Sequence, residues 1–381
     1  MTYVRIAVAL GLVTTVAAAA DARPLAHEMA GEARPGRPAW DGRLMPPERV
    51  APHVWVMRQP DRLWAAVIGN VTIIEQGDGV VLIDSGGSIP DGRDVVAAVR
   101  KLTGKPIKAV AITHWHNDHP LGLPAIRDAF PNVRIISTAA TRDFIGSETH
   151  LGIGKADPAQ DRVRRERTAD TLKQLQAEAD KRSNPPSMRR QYATEIRWIR
   201  ERLERQMGGY AILPTEIVTD SLLLPDPVAP VELRFLGLGN THGDLIAWLP
   251  RQRTVVTGDI VVLPTPYGFT NPIAPWLATL RRLEHIPFTT LVPGHGKVQH
   301  DRRYLHTLEW AMRRIAAEAR AAAARPTTTK DQAVKAFDRR PYQQRFHATD
   351  PWTRQWLNDY FLEGMFSTAF DEARGKPAVV K

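Results

Sequence analysis

The sequence predicts an α/β layered fold, and three observations carry that prediction. Short β-branched runs, Val54-Trp55-Val56, Ala65–Ile68, Val71–Glu75 and Val80–Ile83, follow His53 at close intervals, with the hairpin turn signals Gly69-Asn70 and Gly77-Asp78-Gly79 among them. A stretch with helical spacing, Gly92–Leu102, then leads to a further apolar run, Ile107–Ile112. The strand ends run into polar loops, Asp84-Ser85-Gly86-Gly87 and the residues from Thr113 on. Strand, helix, strand is the pattern of a layered sheet. Chemistry in such sheets gathers beyond the carboxyl ends of the strands.

Ahead of that region the chain is of another kind. Arg5 precedes an apolar run from Ile6 to Ala20 and an Ala20-Asp21-Ala22 site, the order of a secretory signal peptide over residues 1–22. The run is short for a bilayer span, and an uncleaved N-terminal anchor is the other reading. The expectation is export to a periplasm or the medium, with no stable membrane span. Residues 23–52, rich in Pro, Gly and Ala, read as a mature N-terminal linker.

Composition narrows the chemistry. The 381 residues include no cysteine, so disulfides, thiolate metal ligands, iron–sulfur clusters and a cysteine nucleophile are excluded. Any metal site must use His, Asp and Glu. The net charge of +10 permits attraction to anions, but no basic block interleaved with aromatics stands out. The Arg162–Arg167 stretch is interrupted by Glu166 and reads as a solvated helix face.

The polar loop after Ile107–Ile112 is the informative one: Thr113-His114-Trp115-His116-Asn117-Asp118-His119. In an extended loop His114 and His116 are two apart and point the same way, able to grip one metal. Asp118 types as the N-cap of the next helix, expected over Leu121–Phe130, with its other oxygen free for a second metal. His242, in Gly239-Asn240-Thr241-His242-Gly243-Asp244, lies in a turn between strands expected at Val231–Leu236 and Leu245–Leu249. His295 lies in Pro293-Gly294-His295-Gly296, directly after Thr290-Leu291-Val292. Flanking glycines let the backbone turn sharply and present each imidazole. Asp259, in Thr257-Gly258-Asp259, ends the strand expected at Thr254–Thr257.

The order His-x-His-x-Asp-His, followed by distant single His, Asp and His positions, resembles the metallo-β-lactamase superfamily over about residues 53–300. Asp84 matches that family's early strand-end aspartate, a structural residue near the site. The resemblance implies a four-layer αβ/βα sandwich, two mixed sheets face to face with helices outside and metals at one edge. It implies that His114, His116 and His242 hold one metal, that Asp118, His119 and His295 hold the other, and that Asp259 bridges them. Imidazole-rich donors make two zinc ions the default, and iron or manganese would also fit. A hydroxide between the ions is then the nucleophile, oriented by Asp118. Neither Gly-x-Ser-x-Gly nor a P-loop occurs.

Family resemblance leaves the substrate open. Members that hydrolyse β-lactams commonly carry Cys or Ser where this chain has Asp259. The bridging Asp is typical of relatives acting on thioesters, lactones, sulfate esters, phosphodiesters and RNA. Export argues against cytosolic glutathione thioesters and against RNA, so nucleic acid is not the expected partner. The expected function is an exported zinc-dependent hydrolase that cleaves an ester or lactone bond of a small molecule. A β-lactam hydrolase, a phosphodiesterase or ribonuclease of the same fold, and a di-iron oxidoreductase are the alternatives. No signal in the sequence sets the oligomeric state.

Residues 143–209 exceed what the core of this family requires. Asp161–Lys181 and Arg189–Met207 show helical spacing, broken by Asn184-Pro185-Pro186. Ile196, Ile199 and Leu203 form a narrow apolar stripe with Trp198 beside it. The expectation is a helical hairpin, either a lid or a solvated decoration or dimer arm. Residues 301–381 read as a helical extension, with helix signals at His300–Ala324 and Pro351–Ala373. In the latter, Trp352, Trp356, Tyr360, Phe361, Phe366 and Phe370 suggest one aromatic face, for packing on the core or for substrate. Tyr267 follows the Asp259 strand closely enough to reach the mouth of the site and donate to an oxyanion, or else serves the loop. His150, His285, His300 and His306 have no partner pattern.

Overall fold

A computed structural model describes residues 43–61, 67–147, 152–268 and 271–376. The expected signal peptide and most of the linker lie outside them, as does His150. The first sheet has seven strands in sequence order: β1 (Glu48–Ala51), β2 (Val54–Met57), β3 (Val71–Glu75), β4 (Val80–Ile83), β5 (Ile107–Ala111), β6 (Arg134–Ser137) and β7 (Glu216–Ile217). It is antiparallel from β1 to β4 and parallel from β4 to β7. Of the strand expected at Ala65–Ile68, Ala65 and Ala66 lie outside the described residues, and Val67 and Ile68 belong to no strand. The second sheet has the order β12-β11-β10-β9-β8, built from β8 (Ser221–Leu224), β9 (Val231–Phe235), β10 (Leu245–Leu249), β11 (Thr254–Val256) and β12 (Thr290–Val292). Only its β11–β12 pair is parallel. Both sheets are mixed.

Strand alternation divides the core into layers. Val81, Ile83, Ala109, Ala111 and Ile136 of the first sheet meet Leu233, Leu245, Ala247 and Val256 of the second in one buried cluster. Their neighbours Val80, Leu82, Val110 and Ile135 face the other way. There they pack on α1 (Ile89–Leu102) and α2 (Leu123–Ala129) through Val95, Val99, Leu123 and Ile126. Next along the chain come α3 (Ala139–Ser147), α4 (Pro158–Asp180) and α5 (Pro186–Gln206). The outer face of the second sheet, Ile246, Trp248, Val255 and Leu291, is covered by α6 (Ile273–Glu284) and α7 (Arg303–Ala323) through Trp276, Leu280, Leu308 and Met312. Helix, sheet, sheet, helix is the expected sandwich.

The hairpin differs from its expectation in how deeply one arm is buried. α4 has no buried residue, whereas α5 buries Met188, Tyr192, Glu195, Ile196, Trp198, Ile199 and Arg202. Trp198 joins the core under the first sheet. Arg202 reaches Asp91 of α1 at 2.9 Å, with side chains 2% and 0% exposed. The second arm is therefore a structural part of the body.

The C-terminal extension begins with α7 and continues through α8 (Lys330–Ala336), α9 (Arg340–Arg345), α10 (Pro351–Leu357) and α11 (Glu363–Ala373), the last two joined by a π-turn at Asn358–Leu362. The expected single aromatic face is split across that turn. Trp352, Trp356 and Tyr360 pack with Tyr192 and Tyr267, whereas Phe361, Phe366 and Phe370 enter the core beside α7. Among the described residues no helix is long and apolar enough to cross a membrane.

Candidate metal centre

The centre is assembled where β4, β5, β11 and β12 end. Past β4, Asp84 accepts the Thr113 backbone N–H and the Thr113 hydroxyl, each at 2.8 Å. The carboxylate oxygen that takes the hydroxyl also lies 2.8 Å from His119 Nδ1. Thr113 Oγ1 is 3.0 Å from His114 Nδ1, and with its own proton given to Asp84 it accepts from that imidazole. One buried carboxylate, directly and through Thr113, fixes two imidazoles with their Nε2 atoms left for ligation. Asp118 is not the helix cap expected of it. The N-cap of α2 is Gly122, which makes no side-chain cap bond, and Asp118 Oδ2 turns instead toward His295.

The parallel pair β11–β12 delivers the other two donors. Asp259 sits in a one-turn 3₁₀ helix after β11, and His295 follows β12. Asn70 clasps the His295 loop by donating its side-chain amide to Pro293 O at 2.9 Å and Gly296 O at 3.0 Å. Its spacing signals only a turn, since partners so distant in sequence leave no local pattern. Two glycines make the approach possible: a Cβ on Gly294 would lie 1.9 Å from Asp259 Oδ1, and one on Gly69 would lie 2.4 Å from the His119 ring.

Six of the seven expected ligands come together in two groups, His114–His116–Asp259 and Asp118–His119–His295, with donor atoms in each within 4.8 Å of one another. Asp259 belongs to both in effect: its Oδ2 lies 3.6 Å from His114 Nε2, and its Oδ1 lies 3.5 Å from His119 Nε2 and 3.4 Å from His295 Nε2. Asp118 Oδ2 closes the second group at 3.4 Å from His119 Nε2 and 3.1 Å from His295 Nε2. His242 stands outside both groups. Its ring lies 5.9 Å from Phe144 of α3 and nearly parallel to it, and Phe144 stacks in turn on Trp115 at 5.5 Å. Thr138 and Thr141 fix the loop of His242 by donating to Gly243 O at 2.9 and 3.0 Å.

These residues fit a divalent cation. Asp118 Oδ2, His119 Nε2, Asp259 Oδ1 and His295 Nε2 are all buried without a hydrogen-bond partner, although they converge. Four ligands at the usual zinc distances around a tetrahedral centre stand about 3.3 Å apart. The four carboxylate–imidazole separations within this set, 3.1 to 3.5 Å, match that spacing.

Electrostatics agree. Burial, with the neighbouring imidazoles, holds His114 well below its ordinary value and so neutral. Burial opposes charge on His295 too, but Asp259 and Asp118 outweigh it and carry the ring up to about 9. Against the same burial, His119 is raised by Asp118, Asp84 and Asp259. The carboxylates thus favour positive charge at their centre, which a bound cation would supply.

Tyr267 packs beside the centre, its ring 5.6 Å from His295, 5.7 Å from Tyr360 and 6.4 Å from Trp356. Burial and then the neighbouring Tyr360 push its phenol well above the ordinary value, so it stays protonated.

A family model described as the metallo-beta-lactamase superfamily matches residues 64–295, more than half of the chain. The chain belongs to that superfamily. Among similar proteins, a linear primary-alkylsulfatase from Pseudomonas sp. is 25% identical over 238 residues, which is 59% of this chain and 41% of the relative. An atrochrysone carboxyl ACP thioesterase from Emericella nidulans is 33% identical over 64 residues, 17% of this chain and 21% of that one. The chain therefore spans under half the length of these curated relatives. A solved structure of a stereoselective inverting sec-alkylsulfatase from Pseudomonas sp. aligns with a TM-score of 0.58 at 16% identity, covering 86% of this chain and 50% of the other. That likeness is one of fold.

Proposed function

We propose that this metallo-beta-lactamase superfamily chain is an exported hydrolase with two divalent metal ions, zinc by default, that cleaves an ester or lactone bond of a small molecule. The observation that carries the reading is Asp259, which turns one carboxylate oxygen toward each ligand group. His114, His116 and Asp259 would hold one ion, and Asp118, His119, His295 and Asp259 the other. Such ions supply Lewis acidity toward the scissile carbonyl and acidify water into a nucleophile near neutral pH. Asp84 and Thr113 keep the two imidazoles in the ligating tautomer. Asp118, 16% exposed and lining a cavity, would orient the attacking water through its second oxygen. Tyr267, kept protonated by burial, remains a donor beside His295. The Arg5 to Ala22 pattern supports export.

The test is metal analysis of the mature protein, then a screen over lactones, aryl esters, sulfate esters, phosphodiesters and β-lactams. Sulfate esters belong in the screen because alkylsulfatases are among the similar proteins. About two ions per chain and chelator-sensitive turnover of carboxylic esters or lactones is the expected result. Chelator-resistant turnover, or a preference for phosphodiesters or β-lactams by orders of magnitude, overturns the reading.

A further inference from the structure

We propose that the cavity between the α4–α5 hairpin and the metal loop is the substrate-arm subsite, and that Arg167 at its rim selects an arm ending in a carboxylate or a sulfo group. This rests on the hydrolase reading above and adds a substrate class to it. The cavity, about 270 Å³, has Asp118 in its lining and both helices of the hairpin as walls. It is smaller than the roughly 300–1,000 Å³ that suits drug-sized ligands, so it takes one short arm. Ile199 and Leu203 of α5 give it an apolar side that suits a few methylene groups.

Charge decides what ends the arm. Arg202, which also lines the cavity, is neutralised by Asp91, and Arg205 is neutralised by Asp91 and Asp94. On α4, Arg162 pairs with Glu166 and Arg164 with Asp161. Arg167 is exposed, and among the described residues its guanidinium has no carboxylate within ion-pair distance. Among the described residues Asp118 is the one carboxylate lining the cavity, and it is turned toward His119 and His295. An incoming arm therefore meets an uncompensated cation at the rim and a hydrocarbon wall behind it. A guanidinium fork matches a carboxylate or a sulfo group in two bonds.

The experiment uses the metal-loaded full chain and three variants, Arg167→Ala, Leu203→Trp and Thr171→Trp, the last two filling the cavity from opposite walls. Hydrolysis is compared between 4-nitrophenyl hydrogen glutarate, 4-nitrophenyl 4-sulfobutanoate and the neutral 4-nitrophenyl pentanoate, and glutarate binding is measured by calorimetry. The ratio of kcat/KM for an anionic ester to that for the neutral one should fall about three- to fivefold in Arg167→Ala, the size of a rim-exposed ion pair. The glutarate and sulfobutanoate arms report separately which anion is preferred. Both Trp variants should raise KM for all three esters. An unchanged ratio in Arg167→Ala, or unchanged KM in both Trp variants, overturns the subsite while leaving the hydrolase reading intact. If none of the three esters is cleaved, the hydrolase reading still stands or falls on the wider screen above, and calorimetry decides the subsite alone. Glutarate binding weakened by Arg167→Ala and by a Trp variant then supports it, and binding indifferent to them overturns it.

Discussion

Replacing Arg202 by Met tests whether the inserted hairpin belongs to the body of the protein. The substitution keeps a long apolar stem but removes the Nη1 bond to Asp91 at 2.9 Å and the Nη2 bond to Gly87 O at 3.2 Å. Asp91 is not stripped bare, since Arg205 still donates to its other oxygen at 2.8 Å and the Gly87 N–H remains at 3.2 Å. The cost should therefore approach, without exceeding, the roughly 3–5 kcal/mol of a buried ion pair that loses one partner, and we expect about 3 kcal/mol. Arg205, with a side chain 16% exposed, should matter less, and Arg205→Met should cost on the order of 1 kcal/mol. Urea unfolding followed by tryptophan fluorescence measures both. Acid supplies a second reading. Burial raises the Asp91 carboxyl, but Arg202 and Arg205 outweigh it and hold it below its ordinary value. A depressed carboxylate contributes stability that is complete above its unfolded value of about 4 and is lost as pH falls through the folded value. The gap between wild type and Arg202→Met should accordingly narrow as pH drops below about 4. A cost for Arg202→Met under about 1 kcal/mol, or one smaller than that of Arg205→Met, refutes the reasoning that this ion pair is what anchors α5.

Two further outcomes follow from the metal centre. Asp259→Asn keeps the shape but loses the charge, and an amide nitrogen cannot ligate a cation, so metal analysis should show fewer ions per chain and turnover should drop by more than about tenfold. Asp84→Asn leaves every expected ligand in place but weakens the hold on His119 and on Thr113, and calorimetric metal affinity should fall by roughly 10–100-fold.

The legible part of this centre is the local part. His114, His116, Asp118 and His119 lie on one loop, and their spacing suffices to group them; Asp259 and His295 are marked by strand ends and glycines. His242 is marked in the same way, yet its ring stacks on Phe144, a residue from another element that no spacing rule connects to it. The hairpin departs from its polarity pattern because its second helix buries Arg202 and Glu195, which such a pattern assigns to solvent. The ion pair with α1 is central to the burial of Arg202, and Asp91 bears no sequence relation to it. The same holds for Asn70, whose role is defined by two carbonyls near His295.

The C-terminal helix shows how one local irregularity can join a distant extension to the site. An unbroken α-helix would keep residues at i and i+4 on one stripe, which is why six aromatics read as a single face. The π-turn at Asn358–Leu362 widens one turn and rotates everything after it relative to what precedes it. Trp352, Trp356 and Tyr360 consequently stay with Tyr192 and Tyr267, while Phe366 and Phe370 swing into the core against α7, beside Phe361. The Gly268 N–H donates to Tyr360 O at 2.9 Å, which ties the loop carrying Tyr267 to that turn. Gly268 also has to be small, because a Cβ there would come within 2.8 Å of Met365 Sδ and 2.9 Å of Phe361. Tyr267 is thus held against His295 by a helix lying beyond the end of the family match, and the register shift that disguises the aromatic face is what lets one helix serve both the core and the centre.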